Sequence, residues 1–524
     1  MKTKISYINK YLYLYVLLIT ILPFLFCNND DDIQLEDATT SSCQDEDCDK
    51  NNNTSLYDPN NLYMWDKTFG GGDDDVINGL SIDNFNNLYL SGCFYETINF
   101  GGGDRICNYV EACSFTAKLD DVCNYRWDYY PSYTKEDNVT SYSSYAGNSI
   151  KNDVLYNTYT IFSTNIVNID FGGGRRDRMK YAIVKLDADG KYMWDRYYKS
   201  EDNQYSAHIR KLIIDNMNNC YFTGDIAYGV DFGGNKYDKY DALSLFIVKL
   251  DNNGNYLWDY SIVSDCAIHM MGTTIDNNNN IYITGFYRGQ IEFEDTNTNT
   301  MNMDNIFVIK IDTNGKYVWN YVVSAYNNFF VNDITVDNES NSYIVGTYSN
   351  YRNIDLGGGF KKESEGKDIS DTNPAMFVVK LDNNGNYVWD YYIYNENDYS
   401  TGITPTSIDI DSKNNIYIGG EIKGLYWDFG GGERFSEGDD GYRIFVTKLN
   451  PEGKYVWDYV AGDGSDIAFV NDMVVNSMDN IVVAGGFSYR SIDFGGGVRK
   501  NRGCHNDIFL LKIGENDEKI NVNY

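Results

Sequence analysis

Residues 377–392 read FVVKLDNNGNYVWDYY. Two runs of alternating apolar residues flank the turn Asp382-Asn383-Asn384-Gly385, where the glycine accepts the positive φ that a tight reversal demands. The stretch therefore reads as a β-hairpin. It recurs along the chain. Tryptophans stand at Trp65, Trp127, Trp194, Trp258, Trp319, Trp389 and Trp457, 61 to 70 residues apart, each in a phrase such as YVWDYY or YMWDRY. Lys118, Lys185, Lys249, Lys310, Lys380 and Lys448 each precede the next tryptophan by nine residues, so the hairpin is copied in constant register.

A second marker lies mid-unit. Asp83, Asp153, Asp215, Asp276, Asp337 and Asp411 are each followed six residues later by a tyrosine, in phrases such as TTIDNNNNIYITG. These are again two strands across an Asn/Asp-rich turn. Each unit thus supplies about four short strands, the content of a propeller blade. The expected fold is all-β, a seven-bladed β-propeller of antiparallel strands over residues 61–524. The ends suggest how the ring closes. Trp65 has no lysine nine residues before it, and Lys512 has Asn521 where a tryptophan would follow. The two unpartnered strands are expected to lie side by side.

A third marker is Asp-Phe-Gly-Gly-Gly or a near variant, with its apolar residue at Phe100, Phe171, Phe232, Leu356, Phe429 and Phe494. The apolar residue is expected to wedge between sheets while the glycines admit a close backbone approach. The fourth unit has Glu292 and Phe293 without the glycines. Between this marker and the lysine strand lie the most variable segments, Phe360–Pro374, Arg434–Tyr442 and Asp295–Asp304, read as loops that project from one face and are the best pointers to a ligand site. The tyrosine-rich stretch Tyr125–Tyr145 could add aromatic contacts.

The order Trp, mid-unit Asp with NIYITG, DFGGG, then FVVKLDNNGNYVW resembles the SBBP repeats of exported bacterial seven-bladed propellers, over about residues 61–515. The resemblance implies an exported or surface location and no transferable functional residue. Trp-Asp pairs such as Trp194-Asp195 are similar to WD40 repeats, but those run about 40–45 residues with a Gly-His signature, and neither holds here. LDADGKYMW is similar to the tryptophan-docking repeats of quinoprotein propellers, which build eight blades where seven units are counted here.

Outside the repeats, residues 1–27 place Lys2, Lys4 and Lys10 before an apolar run from Tyr11 to Phe26, the order of an export signal. Cys27, followed by polar and acidic residues, resembles the first residue of a mature lipoprotein. A cleaved signal, a lipid anchor at Cys27 and an uncleaved helix all remain open. Residues 28–60 are polar and acidic and read as a disordered spacer. Ten cysteines in an exported chain permit disulfides, with Cys43–Cys48 and Cys107–Cys113 close enough to pair.

A formal net charge of -33 makes nucleic acid and anionic lipid poor partners. Membrane association is expected only through the N-terminal segment, and a monomer is expected. The three histidines, His208, His269 and His505, lie in no catalytic or zinc motif. The Asp-Asn-Asn-Gly turns lack the glycine and glutamate positions of a calcium loop, which leaves weak Ca2+ binding at Gly70–Asp75 as the one cofactor expectation. Function is read as a non-catalytic surface-exposed or secreted scaffold for a protein, glycan or envelope ligand. The alternative is an exported propeller enzyme such as a glycoside hydrolase or lyase, which would need a buried acidic pair in one axial mouth.

Overall fold

The computed structural model describes residues 62–514, except 108–111, 134–143, 165–167, 178, 200–206, 227–229, 235–243, 263–267, 294–295, 326–328, 350–353, 360–373, 394–401, 436–440, 463, 465–466, 489–490 and 504. The segments 1–27 and 28–60, with Cys27 and the Cys43–Cys48 pair, lie outside the described residues. Among the described residues no helix is long and apolar enough to cross a membrane.

Seven four-stranded antiparallel sheets form. Blade one runs from its inner strand Val76–Ile82 through Leu88–Phe94 and Cys113–Leu119 to its outer strand Tyr125–Tyr129. The inner strands of the other blades are Ser144–Asn152, Ala207–Ile214, Ile268–Ile275, Phe329–Val336, Gly402–Ile410 and Ile467–Val475. Each touches its neighbours in sequence order, and the last touches the first, so the seven close into a ring. Closure is made as expected: the strand Tyr63–Phe69 pairs with Asp507–Ile513 and supplies the outer strand of blade seven. The tryptophan strand is thus the outermost strand of the preceding blade, so blades are offset by one strand from units counted at the tryptophan. The tight hairpin turn causes the offset, because it keeps the tryptophan strand in the sheet of its lysine strand.

The markers now have physical roles. The phenylalanine or leucine of each DFGGG is buried between sheets. In blade two, Asp170 accepts hydrogen bonds from the backbone N–H of Gly172 and Gly174. The Tyr192 ring lies on the resulting glycine floor, where a Cβ on Gly173 would stand 2.2 Å from its hydroxyl. The tyrosine hydroxyl donates to Asp195, which Arg176 clamps through two nitrogens at 2.8 Å. Arg105–Asp128, Arg434–Asp458 and Arg499–Asp66 repeat the clamp. The tryptophan reaches the next blade: Trp194 donates to the carbonyl of Asn252 at 3.0 Å and its ring lies 3.0 Å from where a Cβ on Gly254 would be. A side chain there would force the blades apart.

Blade four departs from the expectation of a loop at Asp295–Asp304. Its strands Ile281–Phe293 and Thr296–Ile311 continue as one long hairpin, with Phe293 opposite Thr296. Without the glycine break, the alternating Thr and Asn residues carry on the ladder, and buried Ile291 and Phe293 fill the core.

Candidate functional site

The mid-unit aspartate, the tyrosine six residues on and the lysine are brought together in six blades. In blade three, Asp215 closes its turn by accepting the N–H groups of Met217 and Asn219. It also accepts the Tyr221 hydroxyl at 3.0 Å and pairs with Lys249 at 3.4 Å. Lys249 lies 4.7 Å above the Tyr221 ring, whose neighbour at 5.8 Å is Trp258. The other five blades repeat the ion pair at 3.4 to 3.9 Å. Burial lowers Lys118, Lys185 and Lys310, opposed by the partner carboxylate, and burial with that same carboxylate raises the tyrosines. A charge buried this deeply requires its partner, so these lysines and aspartates hold the sheet and its turn together. Of the tryptophans named as repeat markers, Trp127, Trp194, Trp258, Trp319 and Trp389 each lie on the glycine turn of the next blade.

Blade seven breaks the pattern. Asn476 and Val482 stand where the aspartate and tyrosine would be, and among the described residues buried Lys512 bonds the carbonyl of Asp121, at 3.5 Å. Burial lowers it, with Asp121 opposing.

Carboxylates gather around the axis. Each inner strand is an unpaired edge facing the axis, and most carry a bulge. The freed N–H groups are capped from the preceding blade: Asp472 accepts Leu80 N–H at 2.9 Å, Asp409 accepts Val475 at 2.8 Å and Asp333 accepts Ile408 at 3.3 Å. Burial raises Asp333, with Asp472 adding and Lys211 opposing, and burial pushes Asp409 up to about 6 against Val475, Ile410 and Lys151. Burial also pushes Glu421 up to about 8, against the N–H of Val470. Three carboxylates from consecutive blades, with two lysines nearby, are the described acidic constellation that general acid–base chemistry could use. The signal in sequence was faint: Asp333, Asp409 and Asp472 precede the turn residue by four, two and four positions, visible only when the blades are superposed.

A second cluster lies where the ring closes. Asp73, Asp74 and His505 each place one potential ligand atom within 4.8 Å of the others. His505 Nδ1 is 3.7 Å from Asp73 and 3.8 Å from Asp74. Asn506 donates to Asp74, and buried Asp75 keeps one oxygen without a partner. Gly70–Asp75, singled out for weak calcium binding, is therefore a contact between the two ends of the ring. Cys107 and Cys113 are disulfide-bonded, while Cys93, Cys123 and Cys220 are free and buried.

Antiparallel topology sorts the connections. Asp turns and Gly turns share one end of the ring, the base. The DFGGG segments and the links between blades share the other. Of the expected loops, 360–373 and 436–440 lie outside the described residues, and Arg434–Phe435 pairs with Tyr426–Trp427 on the loop face.

These features define a seven-bladed β-propeller. No protein-family model matches the chain. An uncharacterised WD repeat-containing protein of Acanthamoeba polyphaga mimivirus is 25 % identical over 224 residues, covering 37 % of this chain and 16 % of that protein; the chain therefore spans well under two thirds of that relative, whose name fits a propeller. Among solved structures, the chain is similar to a puromycin hydrolase mutant complexed with PGG, at 8 % identity and TM-score 0.42 over 86 % of this chain and 56 % of that one. It is also similar to a gluconolactonase from Xanthomonas campestris, at 11 % identity and TM-score 0.28 over 68 % and 87 %. Likeness this slight carries no argument about chemistry.

Proposed function

We propose that this chain is a non-catalytic binding scaffold of the SBBP type, exported and either secreted or held at the cell surface through Cys27. One observation carries the reading: the Asp–Tyr–Lys set repeated in six blades is spent on the same scaffold contacts, while the connections that vary most in sequence share one end of the ring. Loops on such a frame present a ligand-binding surface. A protein, glycan or envelope component is the ligand class. The basic-then-apolar order of residues 1–27 supports export.

Intact mass and detergent partitioning of wild type and Cys27→Ala test the tether; a lipid-sized increment lost in the variant is expected. Binding to immobilised glycans and envelope proteins, compared with a variant in which residues 360–373 are replaced by a Gly-Ser linker, tests the loop face. Loss of binding at unchanged Tm is the expected result.

The axial carboxylates favour one second reading, an exported hydrolase acting on glycosides. Turnover of a glycoside that disappears in Asp333→Asn and Asp409→Asn, at unchanged Tm, would replace the scaffold reading with this one.

A further inference from the structure

The charges of the seven inner strands are sorted by side. Blade two contributes Lys151 and blade three Arg210 and Lys211, whereas blades five, six and seven contribute Asp333, Asp409 and Asp472. The inner strands of blades one and four carry no lysine, arginine, aspartate or glutamate. All six charged residues are partly exposed although they lie on the innermost strands, so they line the open axis of the ring. A cationic wall therefore faces an anionic one. On the second strands, Asp225 ties Arg210, and Glu421 stands on the carboxylate side. His208, bonded to Tyr181, and His269, which burial lowers, lie on the inner strands of blades three and four.

The fold does not demand these charges. Asp333 and Asp472 cap N–H groups of the following inner strand, but at the same level of blade two the neutral Ser149 hydroxyl makes that cap, accepting Leu212 N–H at 3.1 Å. An acceptor is required there, not an anion. Nor do the two walls satisfy one another. Among the described residues Lys151 and Lys211 form no ion pair with Asp333, Asp409 or Asp472, although Lys211 acts on Asp333 and Lys151 on Asp409 through the intervening space. At the bulges of blades five and seven, the amide oxygens of Asn332 and Asn471 are buried without a partner. Charges and polar groups held apart in a half-buried channel are costly unless something bridges them. Blades two and three offer unused donors, and blades five and seven offer unused acceptors.

We infer that the axial channel binds a small zwitterion, with its carboxylate toward Lys151 and Lys211 and its ammonium toward Asp333, Asp409 and the Asn332 and Asn471 amide oxygens. This is the chemistry of an amino acid or a short peptide. The balance of charge selects it. A metal ion or organic cation leaves the lysines unanswered, an anion leaves the carboxylates so, and a neutral sugar answers neither wall. The inference goes beyond the scaffold reading and does not depend on what the loop face binds. Unlike glycoside hydrolysis at the same carboxylates, it requires the lysine wall.

The test is isothermal titration calorimetry of the full chain with glycine, β-alanine, γ-aminobutyrate and ε-aminocaproate, whose charged ends stand progressively further apart, and with triglycine. The N-acetyl form of the member that binds lacks the ammonium, and its methyl ester lacks the carboxylate. Lys211→Gln and Asp333→Asn each remove one charge from one wall, and Asp333→Asn keeps an amide oxygen to cap Ile408. Lys191→Gln, at a side chain 75 % exposed, is the control. Thermal unfolding checks that each variant is folded. The expected result is that at least one member binds, that neither of its half-charged forms does, and that the control is unchanged. Affinity falls roughly tenfold or more in each wall variant, the scale of one charge-assisted contact. Preference for triglycine assigns a peptide ligand, and preference for an amino acid assigns the free form. No heat with any of these ligands overturns the inference. So does binding that persists in Lys211→Gln, which places the ligand elsewhere, or equal binding of the methyl ester, which makes the site one for a cation alone.

Discussion

Trp65 lies directly opposite Lys512 in an antiparallel pair made from the two ends of the propeller chain. The same Trp–Lys pairing occurs within a single hairpin in the other six blades, as in Lys249 with Trp258. Closure therefore joins distant strands in the register that the local hairpin sets elsewhere, and among the described residues its lysine forms no ion pair with a mid-unit carboxylate. Two consequences of closure can be measured.

Removing a lysine should cost more where its aspartate remains. Lys249→Met leaves Asp215 buried without its cation and is expected to destabilise by about 3–5 kcal/mol. Lys512→Met removes a buried charge that bonds the Asp121 carbonyl and leaves no buried carboxylate behind, so it should cost less than Lys249→Met. The double variant Asn476→Asp/Val482→Tyr should raise Tm by rebuilding the network around Lys512. Thermal unfolding of the three proteins decides it; equal losses for both Met variants would show that the carboxylate is not what the lysine serves.

Deleting residues 1–69 should expose Asp507–Ile513 as an open edge strand. Unpaired edges recruit other chains, so the truncated protein should aggregate at concentrations where a chain beginning at residue 58 stays monodisperse in light scattering.

The glycine floor can be tested in blade two. Gly173→Ala would place a Cβ 2.2 Å from the Tyr192 hydroxyl and drive that ring off Asp195, whereas a Cβ at Gly174 meets nothing within 4 Å. Gly174→Ala carries only the strain of its φ of +99°, of order 1 kcal/mol, and the larger Tm loss is expected from Gly173→Ala.

Glu421 should set part of the pH dependence. Its carboxyl is raised to about 8 by burial, well above the ordinary glutamate value near 4.3. The folded chain therefore holds a proton that the unfolded chain has released. Stability from this group is fully present below about pH 4 and is lost as pH rises through 8, at up to about 1.4 kcal/mol per pH unit. Glu421→Gln should flatten that decline and raise Tm most at pH 8 and above. An unchanged pH profile would show that Glu421 is ionised in the folded ring.

The disulfide offers a further check. Cys107–Cys113 closes a short loop, for which chain entropy gives roughly 2 kcal/mol. Cys107→Ser/Cys113→Ser should lower Tm accordingly and make the wild type the more sensitive of the two to reductant.

Much of the fold was legible because the repeats report local physics. A glycine at the hairpin turn, an aspartate that closes its own turn, and alternating apolar residues each act within a few residues. Seven copies then leave little freedom in blade count, and the unmatched Trp65 and Lys512 mark the closing strands. The one loop misread, Asp295–Asp304, lacked the glycine break whose absence lets the ladder run on.

The candidate sites were not legible, because they are made between blades. Asp333 gains its role by capping Ile408 on the next inner strand, and Asp73 meets His505 only when the ring closes. The sequence by itself determined the blade, its turns and the number of copies, since those depend on neighbours along the chain. Only the tertiary structure decided which carboxylates face the axis and which residues meet where the ring closes, because those depend on the ring that brings residues hundreds of positions apart into contact.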